Sequence, residues 1–238
     1  MKNIFRKHLT QEQINVLNEH INLSSVRNIG LGQKTSHKCS IMFCDLCNFT
    51  NISWGLEPDV ILNILQEFFQ YCSEKIVYFK GMIDKYPGDG IVSFFPHDFS
   101  DDKYNVVEQS IKSACIIMDW FYDDFKPRHQ SKLEKCSHEL NLKIGIDAGF
   151  IYIAHVGSPY HSELILFGNQ VNVASKCQEK GLEKEIIIGQ EAKEIASLPS
   201  VFFDQGPSTD IVYSKTNKHY LSFRFDWEGY LKIFKKFL

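Results

Sequence analysis

The 238-residue chain has no run of about 18 apolar residues, so no membrane-spanning helix is expected. Its first residues, MKNIFRKHLTQEQ, lack the apolar stretch of a secretory signal. No sign of charge dominates. The 26 Lys and Arg stand against 29 Asp and Glu, a net charge of -3, so no basic face for nucleic acid is expected. Cysteine does not form a framework either. The seven residues at 39, 44, 47, 72, 115, 136 and 177 are odd in number and sit mostly inside apolar segments. Cys44-x-x-Cys47 has no second C-x-x-C, C-x-x-H or H-x-x-H pair, which argues against a four-ligand zinc site. A thioredoxin-type pair would open a helix, with little between strand and helix to spare the aspartate at 45. The thiols read as reduced packing residues of a cytoplasmic protein. No internal repeat or low-complexity tract occurs. What is present is apolar material: 44% of the chain, with 19 Phe, enough for one large domain with extensions.

Residues 1–37 read as an N-terminal helical extension and linker, and 38–238 as the main domain. Thr10-x-x-Gln13 is a possible capping box, with Ile14, Leu17 and Ile21 following at helical spacing. Cys39–Leu46 reads as a strand. Pro58 opens a helix to about Phe79, with Ile61, Ile64, Leu65, Phe68, Cys72 and Ile76 on a broad apolar face. Met82–Tyr86 and Ile91–Phe95 are short apolar runs joined by Pro87-Gly88-Asp89-Gly90, strong hairpin chemistry. A second helix is expected from about Tyr104 to Phe121, and an exposed loop over Asp123–Glu139. Leu142–Ala148 and Phe150–Val156 read as a hairpin around Gly149. A helix after Gly168, a strand at Glu185–Ile188 and a short helix near Glu191–Leu198 complete the readable order. The last forty residues hold aromatic, strand-like pieces without a clear pattern. The order predicts an α+β fold, a ferredoxin-like βαββαβ sheet with helices on one face. That fold hosts many activities, so the site must decide.

Two carboxylates occupy matching places. Asp45 ends the first strand and Asp89 lies in the turn of the hairpin, so the topology brings both to one end of the sheet. Such a pair can hold two divalent cations about 3.5–4 Å apart. Oxygen ligands suit Mg²⁺ or Mn²⁺ better than zinc. After Asp45, Cys47-Asn48-Phe49-Thr50 leads into a helical segment whose free N–H groups can cradle phosphates. Taken singly, either aspartate reads more readily as a turn or capping residue.

With these residues in view, the sequence resembles the class III nucleotide cyclase catalytic domains, the adenylate and guanylate cyclases, over roughly Lys38–Leu198. The motifs that carry the resemblance are Phe43-Cys44-Asp45-Leu46-Cys47-Asn48-Phe49-Thr50, with Asn48 where the family has Gly; Gly81-Met82-Ile83-Asp84-Lys85-Tyr86-Pro87-Gly88-Asp89-Gly90; Leu142–Gly149 with Val156-Gly157; and Phe167–Lys176. The resemblance implies that Asp45, Asp89 and the Leu46 carbonyl bind the metals. It implies that Asn172 orients the ribose and that the position of the family's transition-state arginine is Lys176, which supplies charge without a bidentate fork. Two positions read the base. Lys85 is the residue common in adenylate cyclases. Ile165 stands where adenylate cyclases often have Asp or Thr, and it cannot accept a hydrogen bond. An adenine amino group buried against it would lack a partner, at a cost of about 1–3 kcal/mol. A donating Lys85 fits uracil O4 better than the cytosine amino group.

These features are similar to the bacterial anti-phage (Pycsar) pyrimidine cyclases, which make cyclic UMP or cyclic CMP. The implied substrate is a nucleoside triphosphate, UTP first. The family's sites form between two head-to-tail subunits, so a homodimer with shared sites is expected, with no membrane and no nucleic-acid partner. An adenylate cyclase or a nucleotide-binding pseudocyclase are the other readings. The Gly-Gly-Asp/Glu-Glu-Phe signature of diguanylate cyclases is absent. The family's further phosphate lysine has two candidates by position, Lys215 and Lys218.

Overall fold

The computed structural model describes residues 29–97, 105–133, 138–158, 160–204, 211–213 and 218–237. The expected N-terminal helix around Thr10–Ile21 lies outside them, as do Cys136 and Lys215. The elements in chain order are β1 (Lys34–Cys47), α1 (Phe49–Ser53), α2 (Pro58–Tyr78), β2 (Met82–Lys85), β3 (Gly90–Pro96), α3 (Val106–Trp120), a π-helical turn (Phe121–Phe125), α4 (Lys126–Leu133), β4 (Asn141–Gly157), β5 (Ser162–Phe167), α5 (Asn169–Lys180), β6 (Ile186–Gly189), α6 (Gln190–Ile195), β7 (Ile211–Tyr213), β8 (Lys218–Tyr220), β9 (Ser222–Phe225) and α7 (Trp227–Phe234). A seven-stranded sheet runs β2-β3-β1-β4-β6-β9, with β5 also paired to β4, and β7 and β8 form a separate ribbon. The first four strands, in the order β2-β3-β1-β4, give the expected ferredoxin-like core. None of the described helices is long and apolar enough to cross a membrane.

The strands sort their side chains by alternation. Met42, Cys44 and Leu46 of β1 face one core, against Ile64, Phe68, Cys72 and Ile76 of α2 and Ile111, Ala114, Cys115 and Met118 of α3. The spacing of four along α2 is the buried stripe of a helix that begins with Pro58 in its first turn. Asn105 starts α3, accepting from the Val107 and Glu108 amides at 3.0 and 3.3 Å. The alternate residues of β1, Ile41 and Phe43, face a second core with Ile151, Ile153 and Ala174. Asp45 continues that second row.

Several expectations change. The helices do not all lie on one face: α5 packs on the opposite side of the sheet from α2 and α3, through Ala174 and Val171. Gly149 is not a turn, because β4 runs unbroken for 17 residues and its hairpin partner is β5. The glycine has φ +149°, and a Cβ there would come within 2.9 Å of the Gln170 side chain. Residues 34–37, read as linker, are the start of β1 and pair with β4. Residues 121–133, which include most of the stretch read as an exposed loop over Asp123–Glu139, are helical, because Phe121 and Phe125 are fully buried and anchor them. Several of their charges are paired: Arg128 binds Asp124 and Glu67, and His129 Nε2 lies 2.8 Å from Glu67 Oε2. Near the end of the chain, α7 is a true helix, started by Asp226, whose carboxylate accepts from the Gly229 amide at 2.9 Å.

Candidate active site

The register of β1 against β3 sets the site. Asp45 stands opposite Gly90, so the next residue back, Asp89, is brought beside it by the hairpin turn. The turn is closed by the Gly90 amide donating to the Pro87 carbonyl at 3.1 Å, with Gly88 left-handed at φ +65°. A Cβ on Gly90 would lie 3.0 Å from the Cys44 carbonyl and 3.3 Å from Asp45 Oδ1. Glycine at 90 therefore keeps the space in front of that oxygen open. An open cleft of about 490 Å³ lies over these residues, with Asp45, Leu46, Cys47, Asn48, Phe49, Thr50 and Asp89 all in its wall.

Asp45 is half-buried. Burial first, and the Asp89 charge second, push its carboxyl above the usual range, while Lys143 and Gln178 pull the other way. Its Oδ2 accepts from Gln178 Nε2 at 2.9 Å and lies 3.9 Å from Lys143 Nζ. Lys143 is the β4 residue directly opposite Asp45. The Leu46 and Phe49 side chains belong to the main core, so only their backbone faces the cleft. Asn48 is left-handed at φ +64°, a conformation asparagine tolerates better than most side chains. Its amide is tied down: Nδ2 donates to Glu183 Oε1 at 2.9 Å, and Asn141 Nδ2 holds Glu183 Oε2 at 2.7 Å. Asn141 Oδ1 in turn accepts from Lys126 Nζ at 2.8 Å. The asparagine in the place of a glycine is thus fitted by its neighbours. Cys44 and Cys47 point apart, one into the core and one to the cleft, and burial lifts the Cys47 thiol to about 11. Both are free thiols, which agrees with packing rather than redox pairing.

Two carboxylates in the wall of one polar cleft, the Asp45 group pushed up by burial and by the Asp89 charge, fit a divalent cation. The like charges that repel here are the charges a cation would neutralise. Among the described residues no group of three or more His, Cys, Asp or Glu side chains is placed to hold a metal. A pair of carboxylates, with the remaining positions left to other oxygen donors, would suit Mg²⁺ or Mn²⁺.

The other expected site residues stand away from this cleft. Lys85 is exposed and pairs with Asp84 at 3.4 Å. Burial, opposed by Lys85, raises the Asp84 carboxyl to about 6. Ile165 sits half-buried on β5, opposite Ala154. Asn172 is exposed on α5, and Lys176 pairs with Glu179 on the same helix. At about 100° per residue, Asn172 and Lys176 lie on the side of α5 nearly opposite Ala174 and Gln178. Lys218 lies in β8. Sequence reasoning missed Lys143, Gln178 and Glu183. The signals were a lysine alternating with apolar residues in Leu142–Ile146, and a glutamine four residues after a core alanine.

Asp147, in the same motif as Lys143, has a different role. It is 1% exposed and accepts from the Ala192 amide at 3.2 Å, holding α6 against the sheet. Burial lifts its carboxyl to about 7. The folded state therefore keeps a proton that the unfolded chain loses near pH 4. Stability from this group is full below that pH and is lost as pH rises to about 7, by on the order of 3–4 kcal/mol. Asp147→Asn, whose amide oxygen still accepts from Ala192, should remove that part of the slope. Urea midpoints from pH 4 to 8 would show it as a flatter curve than the parent chain's.

Comparison with known proteins identifies the family. Residues 31–221 match the family model described as the adenylate and guanylate cyclase catalytic domain. An adenylate cyclase of Anabaena cylindrica is 28% identical over 182 residues, 74% of this chain and 34% of that protein. A cytidylate cyclase of Escherichia coli is 23% identical, covering 64% of this chain and 34% of that protein. A uridylate cyclase of Rhodovulum sp. is 22% identical over 58% of this chain and 56% of that protein. The chain thus spans about a third of the length of the first two of these relatives. In fold it is similar to the adenylyl cyclase CyaB of P. aeruginosa, at a TM-score of 0.68 and 19% identity, covering 81% of this chain and 95% of that one. With the family model spanning most of the chain and Asp45 and Asp89 facing one cleft, the protein belongs to the adenylate and guanylate cyclase catalytic domain family.

Proposed function

We propose that the chain is a cyclase that closes UTP to 3′,5′-cyclic UMP with release of pyrophosphate, a second messenger in bacterial anti-phage defence. The observation that carries the cyclase reading is the pairing of Asp45 with Gly90, which sets two carboxylates at one end of a polar cleft. The 3′-oxygen of the ribose attacks the α-phosphorus in line; the bond to pyrophosphate breaks, and the hydroxyl proton leaves to solvent. Asp45, Asp89 and the Leu46 carbonyl would hold Mg²⁺ or Mn²⁺. When bound, such ions supply a lowered pKa at the 3′-hydroxyl and neutralise the triphosphate. The amides of Cys47, Asn48, Phe49 and Thr50 receive phosphate oxygens, and Lys143 adds a positive charge beside them. Asn172 orients the ribose, and Lys176 places charge at the α-phosphate. Positioning and electrostatics supply most of the rate.

The base reading rests on Ile165, which offers adenine no acceptor, and on Lys85, a donor held by Asp84. The pyrimidine cyclases among the relatives support it; the adenylate cyclase of higher identity supports cyclic AMP instead. Incubation with each of ATP, GTP, CTP and UTP and Mn²⁺, with the product read by mass, separates these. Cyclic UMP is the expected main product. Cyclic AMP as the main product overturns the base reading and leaves the cyclase. No product from any of the four favours a nucleotide-binding pseudocyclase.

We further propose a homodimer whose two sites each combine Asp45 and Asp89 of one subunit with Asn172 and Lys176 of the other. The support is positional: Asn172 and Lys176 lie outside the cleft of their own chain, on the outward side of α5. Mixing Asp45→Ala with Lys176→Ala should restore up to about a quarter of parental activity, since one site of each mixed dimer is intact. Mixed dimers that form without recovery would exclude shared sites.

A further inference from the structure

The hydrogen bond between α5 and the metal carboxylate is unusual in kind. Gln178 is a polar side chain at a core position, 8% exposed, one turn after the fully buried Ala174. A glutamine there would leave its amide without a partner unless something across the interface accepted from it. The acceptor is Asp45 Oδ2, at 2.9 Å. The helix cannot retreat from or slide over this contact without disturbing the sheet, because α5 rests on the backbone of β4. A Cβ at Gly145 would lie 2.2 Å from the Gln178 amide nitrogen and 2.4 Å from the Ala174 carbonyl. The position of Gln178 is therefore fixed by backbone contact, not by a flexible chain.

The two oxygens of Asp45 are thus unlike. Oδ2 is turned to Gln178. Lys143 stands 3.9 Å from the same atom, beyond hydrogen-bond distance, and contributes charge only. Oδ1 is turned to Gly90, the residue that follows Asp89, where the missing side chain leaves it clear. An amide donor orients the carboxylate without cancelling its charge. A cation in the same place would neutralise the group and compete with a metal.

We propose that Gln178 is a positioning residue of the metal centre: it holds Asp45 by Oδ2 so that Oδ1 faces Asp89 and takes the divalent cation. This rests on the reading of Asp45 as a metal carboxylate. Partners behind a metal ligand typically set affinity by 10–100-fold, through ligand orientation.

The test uses Mn²⁺ alone, titrated into the whole chain while the free-ion electron paramagnetic resonance signal is followed. Gln178→Leu and Gln178→Met keep the side-chain volume close and remove the donor. Each should weaken Mn²⁺ binding by roughly 10–100-fold while leaving the unfolding temperature of the metal-free protein nearly unchanged. Asp45→Asn is the control for the underlying reading. If Asp45→Asn binds Mn²⁺ as the parent does, the metal reading itself fails. If Asp45→Asn loses Mn²⁺ and both Gln178 variants keep the parental midpoint, this proposal alone is overturned. Should both variants misfold, Mg²⁺ titrated into ¹⁵N-labelled parent protein decides it. The Gln178 side-chain amide resonance is expected to shift at the same Mg²⁺ concentration as the Asp45 backbone amide, and an unmoved resonance refutes the proposal.

Discussion

Asp89→Asn is expected to lower cyclic-nucleotide formation by about 10³-fold or more, on the order of 4 kcal/mol in the barrier, while leaving the fold intact. Asparagine keeps the shape of aspartate and its fitness for a tight turn, but not its charge. One of the two groups that would anchor a divalent cation is then lost. The same substitution should raise the stability of the metal-free protein, because burial and Asp89 together make Asp45 harder to ionise. Both groups are partly exposed, so the gain is a few tenths of a kcal/mol to about 1 kcal/mol at neutral pH. Product mass after incubation with nucleotide and Mn²⁺, and thermal unfolding with a chelator, read the two effects separately. Activity down with stability up is the pattern of a site that holds like charges together for use. Parental turnover in Asp89→Asn would end the two-carboxylate account of this cleft.

The second large effect comes from one methyl group. Gly145→Ala places a Cβ against two backbone atoms of α5, at 2.2 and 2.4 Å. Neither atom can swing aside as a side chain can. The helix must lift from β4 or the strand must bend, at a cost of about 3 kcal/mol or more. Since α5 carries Asn172, Lys176 and Gln178, activity should fall with stability. A urea midpoint equal to the parent's would show that α5 does not rest on β4 in this way. Ile144→Val, one residue earlier and facing the main core, serves as the contrast: a lost methylene there costs about 1 kcal/mol without moving the helix.

The half of the site that sequence could reach is the half made by strand ends and turns. An apolar run ending in Asp45 and a Pro-Gly-Asp-Gly turn each declare their own geometry, and β-sheet adjacency does the rest. The part that sequence could not reach depends on which face of the sheet a helix covers. Helical periodicity shows that α5 has an apolar stripe; it carries no information about the side from which that stripe is buried. For the same reason Gln178 looked like an ordinary helix residue until the strand beneath it was known. Gly149 misled because a glycine between two alternating runs matches a turn, whereas here it clears room for Gln170. The segment of α4 misled through its polarity, since its anchors, Phe121 and Phe125, lie just before or among the charges. Lys143 shows the opposite case. Its role follows from cross-strand register, and that register was set by pairing residues nearly a hundred positions apart.

Helix α5 has work on both of its sides. One side seats Gln178 over Asp45, and the other carries Asn172 and Lys176 outward. Each added residue turns a helix by about 100°, so inserting or deleting one between Asn172 and Gln178 would swing the two ends out of phase. Length changes there would be tolerated only in steps of three or four residues, and even those would shift one end by about a full pitch, some 5 Å, along the axis. Variation in this stretch should therefore take the form of substitutions at a fixed residue count.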